Sequence, residues 1–198
     1  MSKKRPLCFI DIETTGLNPV LHEIIEIAVI KENVDGSVVE YIAKIRPIAI
    51  ERADETALKI NRFRERDWSN AFDAAFVADE LARFLDGCSV CAHNVYFDMD
   101  FISEFLSRYD MQCYIDRRYI DTMTLVHEHL LPAGLSSMSL DSIRSFLGWS
   151  LIGNHTAAVD CRDVRRLYHL LCRASFFSRL AWSLRAKFLS FIQKLTRK

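Results

Sequence analysis

Three apolar runs open the chain: Leu7–Glu13, which ends in acids, Ile24–Glu32 and Ser37–Pro47. Each predicts a strand, and the Asn33-Val34-Asp35-Gly36 step between the second and third predicts a hairpin, because Asp-Gly suits a tight reversal. The start is therefore an antiparallel three-strand unit. The period then changes: Ala71–Leu85 brings Phe72, Ala75, Phe76, Leu81, Phe84 and Leu85 mainly to one side, a helical spacing that stops at Gly87. A short strand over Ser89–Ala92 follows. Phe97–Tyr109 repeats apolar residues at three and four (Phe101, Ile102, Phe105, Leu106), so a strand feeds a helix, as in a βαβ element of a mixed sheet. Further helices are predicted over Asp121–Leu131, closed by Pro132, over Ser139–Leu147, with Ser139 as N-cap and Gly148 as stop, and over Thr156–Cys172.

Composition adds a size and a compartment. A chain of 198 residues, half of them apolar, with only 6 Gly and 4 Pro, reads as one ordinary domain rather than a disordered or collagen-like chain. No uncharged apolar run approaches the roughly 18 residues of a membrane span, and Met1-Ser2-Lys3-Lys4-Arg5 leads into too short an apolar stretch for a secretion signal. The six cysteines are scattered through apolar surroundings, which predicts reduced thiols in an intracellular, cytoplasmic protein. Cys88 and Cys91 form a CxxC without a second pair, and buried thiols explain it better than zinc does.

Charge is balanced overall, 26 basic residues against 26 acidic, but not along the chain. Residues 173–198 hold seven basic residues and no acid, which leaves residues 1–172 with a formal charge of −7. An acidic body requires cations or local basic patches before it can hold a polyanion.

Candidate chemistry lies in the acids. Asp11 and Glu13 are two apart at the end of the first strand, so both point to the face that Leu7 and Phe9 use for the core. Two carboxylates there repel and lose hydration unless a cation or several donors compensate. Taken alone, the pair reads more simply as capping the Thr14-Thr15-Gly16 turn or as lying just outside the sheet in water. Two further clusters join it: His93-Asn94-Val95-Tyr96-Phe97-Asp98 where the short strand hands over to a helix, and His155-Thr156-Ala157-Ala158-Val159-Asp160 at the start of the last long helix. Asp98 and Asp160 also suit the dipole at a helix start, so either acid alone is ordinary.

Together, Phe9-Ile10-Asp11-Ile12-Glu13-Thr14-Thr15-Gly16-Leu17, Ala92-His93-Asn94 through Phe97-Asp98, and the HxAxxD string from His155 to Asp160 resemble the three motifs of the DEDDh, or DnaQ-like, 3′-to-5′ exonucleases. The resemblance covers roughly residues 6–172 and includes Ile24-Ile25-Glu26-Ile27-Ala28 and Asp121-Thr122. Two departures are visible: Lys59-Ile60-Asn61-Arg62-Phe63 replaces a more usual Ile-His-Gly-Ile, and Cys161 stands where a small Ala is frequent.

The resemblance implies an α/β fold, an RNase H-like mixed five-stranded sheet flanked by helices, over residues 1–172. It implies two Mg²⁺ or Mn²⁺ ions held by Asp11, Glu13, Asp98 and Asp160, with His155 taking a proton from the attacking water. It places Thr14, Thr15, Gly16, Leu17, Asn94 and Phe97 against the terminal nucleotide of a nucleic acid with a free 3′ end, single strands favoured. The implied activity is stepwise release of nucleoside 5′-monophosphates, with DNA favoured because Thr14-Thr15-Gly16-Leu17 is closer to proofreading-type members. Two alternatives stay open: an exoribonuclease, and a nuclease-like module that docks to a polymerase or membrane partner.

Residues 173–198 form a separate extension. Phe177, Ala181, Leu184, Phe188, Phe191 and Leu195 recur at three and four, with Ile192 beside them, while Arg179, Arg185, Lys194, Arg197 and Lys198 fall largely off that stripe. The pattern predicts a basic amphipathic C-terminal helix. Its apolar stripe fits the domain's own helices, an anionic membrane surface, or a nucleic-acid or protein partner.

Overall fold

The computed structural model describes residues 4–153, 155–175, 178, 180–185 and 187. Five strands form one mixed sheet in the order β3-β2-β1-β4-β5: β1 (Leu7–Thr14), β2 (Ile24–Glu32), β3 (Val38–Lys44), β4 (Ser89–Ala92) and β5 (Asp116–Asp121). β1 is central, antiparallel to β2 and parallel to β4. The β2–β3 hairpin turns at Gly36, whose φ of 88° lies in the left-handed region, and the Asp35 carboxylate accepts from the backbone N–H of Ser37.

Among the described residues the helices that follow are α1 (Glu55–Ile60), α2 (Ala74–Leu85), α3 (Val95–Arg108), α4 (Thr122–His129), α5 (Leu140–Leu147) and α6 (Ala157–Cys172), of which α2, α3 and α6 pack on the sheet. Alternation along β1 divides the core. Cys8, Ile10 and Ile12 share one apolar cluster with Val77, Leu81 and Leu85 of α2 and Phe101 and Ile102 of α3. Phe9 points the other way, into a cluster with Ala157, Cys161 and Val164 of α6. A third cluster joins α4, α5 and α6 through Val126, Ile143, Leu167 and Leu171.

The sheet and flanking helices match the fold expected from the resemblance, with local differences. The Ala71–Leu85 helix begins later, at Ala74, because Asp73 caps it while Phe72 stays extended and exchanges backbone hydrogen bonds with Lys44 and Arg46. Phe72 and Phe76 consequently stand half-exposed, their rings stacked 5.7 Å apart, and the buried stripe is Ala74, Val77, Ala78, Leu81, Ala82 and Leu85. The helix expected from Asp121 is preceded by β5, and it ends at His129, short of Pro132. α1 and two short 3₁₀ turns, Ile50–Arg52 and Glu65–Trp68, occupy a stretch that showed no period.

In the extension, residues 180–185 are helical. Trp182 packs against the α4–α5–α6 cluster, and Arg185 Nη1 donates to the Leu147 carbonyl at 3.0 Å. Ala181 and Leu184 of the expected stripe are exposed, and Phe177, Phe188, Phe191, Ile192 and Leu195 lie outside the described residues. Among the described residues no helix is long and apolar enough to cross a membrane.

Candidate active site

Side-chain alternation that buries Phe9 against α6 carries on to Asp11 and Glu13, which face the same helix as β1 leaves the core. Asp11 lies opposite Ala28 and Glu13 opposite Glu26 on β2, and a bulge follows Glu13. Buried Glu26 accepts hydrogen bonds from the backbone of Ala157 and Ala158, so it fixes the first turn of α6 on the sheet. That turn carries Asp160. Carboxylate oxygens of Asp11, Glu13 and Asp160 all lie within 4.8 Å of one another. Asp98, buried in the first turn of α3, accepts a hydrogen bond from the backbone of Ile12, and its charge acts on Asp11.

Electrostatics agree with the crowding. Burial, then the charges of Asp98, Asp160 and Glu13, push the Asp11 carboxyl well above the usual range. Burial and the neighbouring Asp160 and Glu26 push Glu13 up to about 8. Burial also raises Asp98 and Asp160, the latter opposed by Arg144. Such a cluster holds protons or cations. Its donors are all carboxylate oxygens, which suit a hard divalent ion, and Asp11, Glu13 and Asp160 offer one oxygen each at ligand spacing.

His155 precedes α6 in the left-handed region, with φ 60°, and is about one-third exposed. Its Nε2 lies 3.5 Å from Asp141 Oδ2. Asn94, also left-handed at φ 69°, turns the chain from β4 into α3. The ring of half-buried Phe97 lies against the core, 5.0 Å from Phe101.

The Thr14–Leu17 turn is built from within. Thr14 Oγ1 donates to the Gly16 carbonyl at 2.7 Å, and Thr15 Oγ1 accepts from the Glu23 N–H at 2.9 Å. Both threonines are buried, whereas Leu17 is 79% exposed. Gly16 passes against the His22 ring, where a Cβ would come within 2.5 Å.

Four further residues shape the site. Asn61, in the segment that departs from the family pattern, donates to the Thr14 carbonyl at 2.7 Å. His93 bridges Thr122 Oγ1 and the Met138 carbonyl, and Asp121 accepts from the backbone N–H groups of Asn94 and Met123. Arg144, fully buried, bonds Asp160 at 2.6 Å. His93 and Asp121 stood inside or beside the motif strings; nothing in the spacing around Arg144 marked it as buried.

The chain resembles known proteins in sequence and in fold. The chain is 32% identical over 160 residues to the PolC-type DNA polymerase III of Thermotoga petrophila, a match that covers 80% of this chain and 11% of that polymerase. It is 25% identical over 158 residues to the DNA polymerase III epsilon subunit of Treponema pallidum, covering 80% of this chain and 72% of the subunit. In fold it resembles E. coli exonuclease I, solved in complex with a dT13 oligonucleotide, with a TM-score of 0.71, 16% identity, and coverage of 86% of this chain and 41% of that one. Residues 8–168, from the second residue of β1 to deep within α6, match the exonuclease family RNase_T, the DnaQ-like branch of the RNase H-like superfamily, and the chain belongs to that family.

Proposed function

We propose that this protein is a metal-dependent 3′-to-5′ exonuclease that removes nucleoside 5′-monophosphates from the end of single-stranded DNA. The observation that carries the reading is the convergence of Asp11, Glu13 and Asp160 within 4.8 Å, with the charge of Asp98 acting on Asp11, in a chain of the exonuclease family. When bound between these four carboxylates, two Mg²⁺ or Mn²⁺ ions supply neutralisation of the charge that builds on the attacking and leaving oxygens. His155, at the exposed rim beside Asp160, accepts the proton of the attacking water. The Thr14–Leu17 turn offers backbone and an exposed Leu17 side chain to the terminal nucleotide, and Asn94 and Phe97, at the start of α3, help to line the site. DNA is favoured because the polymerase relatives and the dT13-bound neighbour handle it.

Those relatives also favour a role within a polymerase assembly, in which residues 173–198 form a basic extension beyond the catalytic domain of residues 1–172. An oligonucleotide series tests the polarity. A strand blocked at its 3′ end should survive, one blocked at its 5′ end should be degraded, and cleavage of a circular single strand would overturn the assignment.

A further inference from the structure

Arg144 is the only buried cationic side chain among the described residues, and each of its three guanidinium nitrogens faces a different carboxylate. Nη2 donates to Asp160 Oδ1 at 2.6 Å, Nε to Asp163 Oδ2 at 2.7 Å and Nη1 to Asp141 Oδ1 at 3.0 Å. Asp160 and Asp163 are three residues apart on α6, and Asp141 is three residues before Arg144 on α5. The other oxygen of Asp141 lies 3.5 Å from His155 Nε2. One planar fork thus touches a carboxylate of the acidic cluster directly and reaches the histidine through a single intervening acid.

Burying a cation is costly, and a well-packed apolar side chain at such a position is often as stabilising. A guanidinium in contact with three acids suits the fixing of geometry better than the filling of space, because its donors lie in one rigid plane. Asp160 takes part at once in this fork and in the cluster with Asp11 and Glu13.

We propose that Arg144 is a positioning residue that orients Asp160 toward the metal site and, through Asp141, sets the His155 ring at its rim. The inference rests on the exonuclease reading. Asp163 anchors the far side of the fork, so it belongs to the same device without reaching the metal site itself.

Two substitutions test it: Arg144→Lys, which keeps the charge on one nitrogen that cannot span three carboxylates, and Asp163→Asn, which loosens the anchor. Mn²⁺ affinity is measured by electron paramagnetic resonance per folded molecule, beside kcat and KM for a short oligonucleotide. Loss of an outer-shell partner typically weakens metal affinity or activity by about 10–100-fold, and Arg144→Lys should fall in that range for both Mn²⁺ affinity and kcat. KM for the oligonucleotide should stay within about threefold, since nothing that touches the nucleotide is altered. Asp163→Asn should show the same pattern at several-fold, and it decides alone if Arg144→Lys fails to fold. Wild-type Mn²⁺ affinity and kcat per folded molecule in the variants would reduce Arg144 to a tie between α5 and α6 and overturn the proposal. A wild-type protein that binds Mn²⁺ but releases no nucleotide would sink the exonuclease reading instead, leaving the Mn²⁺ comparison to judge Arg144.

Discussion

Asp11 and Glu13 reach the same side of β1 as Phe9 because strand side chains alternate, and the last two positions of that face carry charge where the earlier ones carry hydrocarbon. Glu13 then holds its proton more tightly in the folded protein than in the unfolded chain, up from an ordinary 4.5 to about 8. A group with a raised folded value contributes stability that is complete below about 4.5 and is lost as pH rises through about 8. Asp11, Asp98 and Asp160, raised by burial, act in the same direction. Metal-free protein in chelator should therefore melt at a lower temperature at pH 8.5 than at pH 5.5, and Mg²⁺ should restore the loss at pH 8.5 by taking the place of the protons. A metal-free melting temperature that stays level or climbs across that window would contradict the crowding of these acids. His155→Ala should lower kcat by about 10²–10⁴, the usual effect of removing a general base, while Mn²⁺ binding persists. An equal loss of substrate affinity would make His155 a binding residue. Each of these acids and His155 was legible as a residue in a motif; Arg144 was not, because an Arg three positions from an Asp on a helix reads as an exposed ion pair until α6 closes over it.

Elements that face the core on a clear period were readable, and those defined by tertiary partners were not. β1, β2 and α6 show their burial in the spacing of their apolar residues. β5 begins Asp116-Arg117-Arg118, and only its pairing with β4 makes it a strand. The start of α2 shifted from Ala71 to Ala74 for a similar reason, since Phe72 finds backbone partners beside β3. The turn after β1 depends on one close approach that composition does not reveal. An Ala at position 16 would put its Cβ 2.5 Å from His22 Nε2, so either the ring or the turn must move. Overpacking of this kind costs about 1–3 kcal/mol, and here it displaces the segment proposed to meet the terminal nucleotide. Gly16→Ala should raise KM for an oligonucleotide several-fold and lower the melting temperature, and adding His22→Ala should recover most of both. Wild-type KM in Gly16→Ala would show that the turn has no part in substrate binding.

At the scale of the molecule, the sheet brings to one end three segments that are far apart in the chain: the end of β1, the β4–α3 junction and the start of α6. The described part of the extension rests on the α4–α5–α6 layer, through Trp182 and the Arg185 bond to Leu147. Truncation after Cys172 removes that contact. Partial burial of one Trp is worth about 1–2 kcal/mol, so the melting temperature should fall by about 2–8 °C, with cleavage of short oligonucleotides retained. Loss of cleavage by a truncated protein that still folds would tie the extension to the active site. The assembled site makes a sharper demand, read as a product ladder from a 5′-labelled single-stranded DNA in Mg²⁺. The ladder should shorten from the 3′ end one nucleotide at a time, vanish in chelator, and be absent for a folded Asp98→Asn variant. Undiminished cleavage in chelator, or near-normal Mg²⁺-dependent cleavage by Asp98→Asn, would contradict a metal site built from these four carboxylates.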